Sequence, residues 1–192
     1  LPKFEFRLGS PGKARDFTST TPQQLPALSF YHPAAQEALL SAAAQAGTEV
    51  RRGVAALHVQ PGSPPQVEVR EGDGTAKLSA RLIVGADGRN AMSRRSLDRK
   101  AQHGREPRLL AGLLPDDVAA AEDTFLATFG LSNGRMGLII PQGVGRVRAH
   151  LSFRGDDAQR LDGPDAYARF VEACVGTGIA AETFAEATVQ GP

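Results

Sequence analysis

The chain has 192 residues and a formal net charge of +1, with 22 lysine and arginine residues against 21 aspartate and glutamate residues. This balance, without a basic stripe of interleaved aromatic residues, argues against a nucleic-acid partner. The single cysteine, Cys174, excludes an internal disulfide, and no apolar run reaches membrane-spanning length, so we expect a cytoplasmic protein without a membrane span.

Three short strands and a loop are predicted before the first helix. Residues 4–8 alternate apolar and polar side chains, which is typical of a half-buried strand. Residues 9–24 are rich in Gly, Pro, Ser and Thr and predict a loop with a short strand near Phe17. Residues 28–31 predict a further short strand.

An alanine-rich helix is predicted next. His32 and Pro33 open it, because proline suits the first turn of a helix. Residues 34–46 continue it, and Gly47 is the expected residue at its C-terminal end. Residues 48–51 predict a short strand directly afterwards.

A β-meander is predicted in the middle of the chain. Strands at residues 54–59, 66–70 and 77–80 are separated by turns rich in Gly, Pro and Asp. The aliphatic run at residues 82–84 predicts a buried parallel strand beside residues 48–51.

This aliphatic run ends in the motif Gly85-Ala86-Asp87-Gly88, which predicts a tight turn at the carboxyl end of a strand. Ligands bind at such edges in α/β sheets, and Asp87 offers a carboxylate to ligand hydroxyls or to backbone amides. Asn90 is the expected N-cap of a short helix that ends at Arg94 and Arg95.

The last part of the chain predicts an antiparallel sheet with a covering helix at residues 165–175. The expected strands are residues 109–114, 124–130, 134–141 and 146–153. Tight turns are expected at Asn133-Gly134 and at residues 143–145. The apolar neighbours of Cys174 predict a buried core thiol, and His58, His103 and His150 lack metal-ligand spacing.

The ordered series of helix, Ala46-Gly47-Thr48-Glu49-Val50, meander and Ala80-Arg81-Leu82-Ile83-Val84-Gly85-Ala86-Asp87-Gly88-Arg89 resembles the FAD-dependent aromatic hydroxylases. These are flavoprotein monooxygenases of the para-hydroxybenzoate hydroxylase type. The resemblance covers residues 32–95 and is architectural beyond Arg108, where the family carries its substrate-domain sheet. The strand at residues 4–8 would belong to that same sheet.

The resemblance implies an α/β (α+β) fold with two parts. Residues 29–104 would form a partial FAD-binding, Rossmann-like lobe with the helix, the meander and the Asp-Gly motif. Residues 1–28 and 105–192 would form the mostly antiparallel substrate-domain sheet with its covering helix.

The resemblance also implies cofactor-binding residues. Asp87 and Gly88 match a family turn near the FAD pyrophosphate that is also implicated in NAD(P)H use; the alternative is an ordinary turn after a strand. His32 and Gln36 match the place of a polar side chain that approaches the flavin, and Arg94 suits a phosphate or a nicotinamide nucleotide. Each of these three residues has the alternative of a solvated helical position.

Two family motifs are missing from the sequence. No Gly-x-Gly-x-x-Gly loop occurs, because Gly143-Val144-Gly145-Arg146-Val147-Arg148 lacks the third glycine, and the late Gly-Asp motif is absent as well. Ala91 stands where the family's Asp-Gly-x-x-Ser pattern has serine. We therefore expect the middle portion of such an enzyme, inactive by itself.

The implied reaction uses FAD, NAD(P)H and O₂ to hydroxylate or epoxidise an aromatic or polyketide-like small molecule. The cofactor supplies the chemistry, so no catalytic side chain or metal is expected. The substrate would lie against the sheet of residues 124–130, 134–141 and 146–153. The alternatives are a non-catalytic module that binds a ligand or partner, and a reductase or halogenase of the same fold.

Overall fold

The structure, a computed structural model, describes residues 1–9, 12–102, 104, 107–155, 161 and 163–191. The chain divides into two compact units. We call Leu1–Gln36 with Arg105–Pro192 the sheet unit, and Glu37–Gly104 the meander unit. The division falls within a helix, after Gln36, and the sequence-based boundaries at residues 29 and 104 stay a prediction about which segments bind the cofactor.

The predicted helices and most of the predicted strands are present, in the predicted order. The strands are β1 (Lys3–Leu8), β2 (Ala14–Asp16), β3 (Val54–Gln60), β4 (Gln66–Glu71), β5 (Gly74–Ser79), β6 (Arg108–Leu113), β7 (Pro115–Asp116), β8 (Thr124–Phe129), β9 (Met136–Gly143), β10 (Arg146–Arg154) and β11 (Thr188–Val189). The helices are α1 (Phe17–Thr20), α2 (His32–Gln45), α3 (Met92–Ser96), α4 (Ala166–Val175) and a 3₁₀ turn at Ala181–Phe184.

The sheet unit is built on six strands in the order β2-β1-β8-β9-β10-β6. β1 pairs with β8 in parallel, with Lys3 opposite Thr124, and the other pairs are antiparallel. The early strand therefore belongs to the later sheet, as predicted. This mixed sheet and the separate antiparallel meander confirm the α/β fold class.

The core of the sheet unit lies between one sheet face and α4. Ile139, Ala149 and Leu151 are almost completely buried on the sheet side, and Phe170 and Cys174 are buried on the helix side. Burial raises the pKa of the Cys174 thiol to about 12. The predicted role of this cysteine as a packed, unreactive core residue is confirmed.

Two predicted tight turns of the sheet unit are confirmed. Gly134 has a φ of 63°, and Asn133 accepts a hydrogen bond from the Arg135 amide (3.0 Å) while its side chain donates to the Gly176 carbonyl (3.1 Å). The connection between β9 and β10 places Val144, with a φ of 58°, between two left-handed glycines.

The predicted strand at residues 28–31 is wrong. Two hydrogen bonds that are not part of any strand pairing hold these residues. The Ser29 hydroxyl donates to the Pro141 carbonyl (2.6 Å), and the Gln142 side chain donates to the Phe30 carbonyl (3.0 Å). The short strand that was predicted near Phe17 is β2, which ends at Asp16, one residue before Phe17. Phe17 itself begins α1, which Asp16 caps by accepting from the Thr18 amide (2.8 Å).

The helix and meander predictions are confirmed. Pro33 lies in the first turn of α2, and Gly47, with a φ of 88°, ends it. The amides of Gly47 and Thr48 donate to the Ala44 and Ala43 carbonyls (2.9 and 3.0 Å), the pair of bonds that terminates a helix at a left-handed glycine. β3, β4 and β5 form a three-stranded antiparallel sheet.

The predicted parallel strands at residues 48–51 and 82–84 are wrong. Neither segment is a strand, and Leu82 and Val84 are 74% and 77% exposed. An apolar run becomes a buried strand only where neighbouring strands pair with it and another layer covers it. Among the described residues, the strands of the meander pair with one another and none pairs with residues 82–84.

No helix among the described residues has both the length and the apolarity to cross a membrane. Within the same part of the chain, no group of three or more His, Cys, Asp or Glu side chains is placed to hold a metal ion. His103 lies outside the described residues.

Candidate functional site

The turn at Asp87 is held together by the Asp87 carboxylate. One oxygen accepts from the Ser93 amide (2.9 Å), and the other accepts from the Ser93 hydroxyl (2.6 Å). These bonds lower the pKa of Asp87 to about 2, so the exposed carboxylate is charged at neutral pH. Asp87 therefore both organises the turn and presents a negative charge to solvent.

The prediction that Asn90 caps α3 is wrong. The N-cap residue is Ala91, which makes no side-chain hydrogen bond, and the free amides of the first turn are served by Asp87 instead. The reason is register: α3 begins at Met92, so Asn90 lies one residue before the capping position. Gly85 has no side chain, and Ser93 packs directly against it. A Cβ at Gly85 would lie 2.6 Å from the Ser93 Cβ.

Gly88 supplies a left-handed backbone at the tip of this turn. Its φ is 76°, and nothing lies within 4 Å of the position that a Cβ would take. The need for glycine here comes from backbone conformation and not from crowding. Gly88 has no side chain to keep a ligand from this backbone, and its carbonyl accepts from the Ala91 amide (3.2 Å).

Arg94 joins Asp87 and Gly88 at the same turn. Its guanidinium donates to the Arg89 carbonyl (3.1 Å), and Arg95 donates likewise to the Asn90 carbonyl. The Ser96 hydroxyl, in turn, accepts from the Val59 amide (3.0 Å), which ties α3 to β3. The structure therefore brings three of the five predicted cofactor-binding residues together.

His32 and Gln36 are both exposed and lie four residues apart in the first turns of α2, so they share one face of the helix. Both belong to the sheet unit. The segment before them is fixed by Tyr31, whose ring lies 5.2 Å beneath the Arg146 guanidinium. Arg146 also pairs with Asp116 at 2.8 Å.

Sequence reasoning missed several residues that position the site. Ser93 and Gly85 shape the Asp87 turn, while Arg146 and Gln142 hold the start of α2. The sequence signal for Ser93 was its place six residues after Asp87, at the start of a short helix. Gln142 carried no signal, because its partner lies 112 residues away in the chain.

The sheet face opposite α4 is apolar and partly exposed, and we call it the open face. Phe6 is 44% exposed, Leu8 51% and Leu110 61%. Strand alternation and register place Ala127, Ser152, Arg108, Arg148 and Arg154 on this face, together with ten other side chains. These others are Phe4, Phe6, Leu8, Leu110, Phe125, Phe129, Met136, Leu138, Ile140 and His150.

Aromatic rings cluster at one side of the open face. Phe4 meets Phe125 edge to face at 5.2 Å between ring centroids and stacks on Phe17 of α1 at 6.2 Å. Aromatic and aliphatic surfaces of this kind accept flat apolar ligands with little loss of side-chain entropy.

A family model described as an FAD binding domain matches residues 17–180. The chain belongs to this FAD-binding family. The match begins at α1 of the sheet unit, spans the meander unit and ends beyond α4. It includes all five predicted cofactor-binding residues, His32, Gln36, Asp87, Gly88 and Arg94, and their individual roles remain a prediction.

Solved structures of flavoproteins share the fold of this FAD-binding chain. A flavoprotein/dehydrogenase from Cytophaga hutchinsonii has a TM-score of 0.79 at 17% identity, over 98% of this chain and 48% of its own. The flavin-dependent halogenase CmlS has the same TM-score at 16% identity, over 100% of this chain and 36% of its own. Aklavinone-11 hydroxylase, in complex with FAD and aklavinone, has a TM-score of 0.65 at 16% identity, over 99% of this chain and 39% of its own.

The chain spans about half or less of the length of these structures. No curated protein sequence matches it. At these identities the structures establish the shared fold, and the activity of the whole protein is a matter for proposal.

Proposed function

We propose that this chain is the middle part of an FAD-dependent monooxygenase that uses NAD(P)H and O₂ to hydroxylate or epoxidise an aromatic or polyketide-like substrate. The observation that carries the proposal is the Asp87–Gly88 turn, with its charged carboxylate fixed by two hydrogen bonds from Ser93. It stands in a chain of the FAD-binding family, and its motif resembles the family turn that lies near the FAD pyrophosphate in aromatic hydroxylases.

The residues of the turn fit a dinucleotide. Gly88 leaves its backbone open to a pyrophosphate, and Arg94 donates one hydrogen bond to the Arg89 carbonyl, while a guanidinium carries five N–H donors that phosphate oxygens can share. Asp87 keeps lone pairs for a hydroxyl after serving Ser93. His32 and Gln36 are proposed to contact the flavin from the start of α2.

FAD, if bound here, would supply the redox chemistry with NAD(P)H and O₂, and the role of the chain's own residues would be to bind and orient the substrate and to exclude water. The Arg146–Tyr31 contact and the Gln142–Phe30 hydrogen bond hold the start of α2, so that His32 and Gln36 keep a fixed position. The open face is proposed to hold the substrate, because its aromatic and aliphatic side chains match a flat apolar molecule.

One structural neighbour supports this substrate class, since aklavinone-11 hydroxylase was solved as a ternary complex with FAD and aklavinone. Other neighbours are flavin-dependent halogenases and a geranylgeranyl bacteriochlorophyll reductase-like protein. The reductase and halogenase alternatives therefore differ from the proposal in their reactions and not in their fold.

The test uses the complete protein that contains this chain. We expect it to purify yellow with stoichiometric FAD, to oxidise NAD(P)H faster when an aromatic substrate is present, and to insert one oxygen atom from ¹⁸O₂ into the product. The chain of 192 residues alone is expected to purify colourless and inactive.

Three outcomes contradict the proposal in different ways. A complete protein that binds no FAD supports the non-catalytic module. Bound FAD with a halide-dependent product identifies a halogenase, and bound FAD that reduces a substrate without O₂ uptake identifies a reductase.

A further inference from the structure

A cavity of about 340 Å³ opens in the sheet unit, and we call it the Arg7 cavity. The six-stranded sheet supplies one wall, formed by Glu5 and Arg7 of β1, Leu126 of β8 and Ile139 of β9. The chain at residues 119–121 and the 3₁₀ turn line the rest. The volume lies within the range of about 300–1,000 Å³ that is usual for small-molecule sites.

The Arg7 cavity and the open face lie on opposite sides of the sheet. Successive side chains of a strand point to opposite faces, and Phe4 and Phe6 of β1 lie on the open face. Glu5 and Arg7 therefore lie on the side that carries the core, together with the buried Ile139. A ligand in this cavity would not touch the surface proposed for the substrate, so the inference does not rest on the proposed function.

The Arg7 guanidinium is held in position by Glu5. Its Nε donates to Glu5 Oε1 (2.7 Å), and its Nη2 donates to Glu5 Oε2 (3.2 Å). The two side chains are 31% and 16% exposed, and β1 is an interior strand between β2 and β8. The guanidinium is therefore oriented by a partly buried ion pair on a rigid strand.

The other edge of this guanidinium lacks an acceptor. Of its five N–H donors, Glu5 takes two, and Arg7 makes no further hydrogen bond or ion pair within the described part of the chain. The remaining donors lie on Nη1 and Nη2, which together match the two oxygens of a carboxylate. This edge of Arg7 is thus suited to bind an oxyanion that enters the cavity.

The charges and apolar walls of the cavity favour one class of oxyanion. Arg7 compensates the charge of Glu5, while the exposed Glu182 of the 3₁₀ turn adds a negative charge to the lining. Glu182 repels a dianion such as phosphate more strongly than a monoanion. Leu126, Ile139 and the alanines at residues 119–121 offer an apolar surface to a hydrocarbon group.

We propose that the Arg7 cavity binds a small monocarboxylate, with its carboxylate on the outer edge of the Arg7 guanidinium and its apolar body against Leu126 and Ile139. The cavity is then a second small-molecule site of this protein, on the side of the sheet that the proposed substrate does not occupy.

The experiment measures the binding of cyclohexanecarboxylate and cyclohexanecarboxamide to the complete protein by isothermal titration calorimetry. The two probes share their shape and differ in charge. We expect the carboxylate to bind about tenfold more tightly, the effect of a charge-assisted pair that is partly open to solvent. Cyclohexylmethylammonium, a cation of similar size, is expected to bind no more tightly than the amide.

Variants of the sheet unit assign this preference to Arg7. Arg7→Gln is expected to abolish the preference for the carboxylate. The double variant with Glu5→Gln and Arg7→Gln should abolish it as well, and it leaves no unpaired carboxylate in the fold. Arg15→Gln is the control, because Arg15 is an exposed arginine on the neighbouring strand β2, and it should keep the preference unchanged.

Methyl NMR signals of two adjacent isoleucines locate the bound probe. Ile139 lines the cavity, whereas Ile140 lies on the open face. Cyclohexanecarboxylate is expected to shift the Cδ1 methyl signal of Ile139 and to leave that of Ile140 in place. In Arg7→Gln, the same concentration of the carboxylate should leave both signals in place.

Four results would overturn the inference. They are no measurable binding of the carboxylate to the native protein, equal or tighter binding of the amide or the ammonium probe, an unchanged preference in the double variant, and a shift at Ile140 without one at Ile139. If Arg7→Gln fails to fold, the double variant and the Ile139 signal still decide the question.

Discussion

The sheet unit buries a core between one face of its sheet and α4, whereas the meander unit buries few of its apolar side chains. Ile139 and Leu151 are each 1% exposed in the sheet unit. In the meander unit Leu39 is 71% exposed, Leu82 74% and Val84 77%. The difference shows that regular secondary structure forms from local hydrogen bonding, while burial needs a second layer packed against it.

Substitutions of one leucine in each unit would test this contrast most strongly. Leu151→Ala removes a side chain from a closed core, and we expect the free energy of unfolding to fall by about 2–5 kcal/mol. Leu82→Ala, the matched change at an exposed leucine, is expected to alter it by less than about 0.5 kcal/mol. Urea denaturation followed by circular dichroism measures both.

A loss at Leu82 as large as the loss at Leu151 would contradict the comparison. It would mean that the segment at residues 82–84 is covered in solution.

One glycine substitution in each unit distinguishes a loss of stability caused by crowding in a core from one caused by backbone strain. A Cβ at Gly137 would lie 2.5 Å from Thr177 Oγ1 and 2.7 Å from Ile179 Cδ1, so Gly137→Ala overpacks the core and is expected to cost about 1–3 kcal/mol. Gly88→Ala meets no atom and is strained only by its φ of 76°, with an expected cost of about 1–2 kcal/mol. Urea denaturation measures both losses.

Suppressor variants separate these two causes. Enlarging the space with Thr177→Ser should recover part of the stability lost in Gly137→Ala. No cavity-forming change is expected to rescue Gly88→Ala, and any such rescue would show crowding at the turn.

Substitution of Asp87 tests whether this side chain contributes mainly to cofactor binding or mainly to the stability of the fold. Asp87→Ala removes the acceptor for both Ser93 bonds, and we expect cofactor or NAD(P)H binding by the complete protein to weaken roughly ten- to a hundredfold. The melting temperature should change much less, because Asp87 is exposed. FAD occupancy, the KM for NAD(P)H and the melting temperature are measured on the same variant.

Asp73→Ala, in the turn between β4 and β5, is the matched control and should leave all three quantities unchanged. Normal FAD occupancy and normal coenzyme kinetics in Asp87→Ala would reduce the motif to an ordinary turn.

The pH dependence of the same turn is the smallest expected effect. The folded pKa of Asp87 is lowered to about 2 by its bonds with Ser93, below its usual value of 3.8. A lowered folded pKa means that the stabilisation is present above about pH 4 and is lost as the pH falls towards 2. The Asp87→Asn variant should lack this loss of stability when its free energy of unfolding is measured by urea denaturation at pH 2–5. A loss as large as in the native protein would contradict the role of the Asp87 carboxylate.

Local patterns in the sequence predicted most elements. Alternation predicted the strands from Phe4 and Thr124 onwards, and Pro33 and Gly47 predicted the two ends of α2. The turn at Asp87 was also predicted, since a glycine-flanked carboxylate after an aliphatic run has few local alternatives. These features depend on residues within a few positions of one another.

Tertiary structure decided what depends on distant partners. The aliphatic run at residues 82–84 predicted a buried strand, yet its burial required neighbours that the described chain does not pair with it. Asn90 does not cap α3, because the helix begins one residue later than predicted, and the Asp87 carboxylate accepts from the Ser93 amide instead. The open face and the ring of His150 over Gly112 emerge only when strands far apart in sequence align, because register, and not local propensity, determines which side chains share a face.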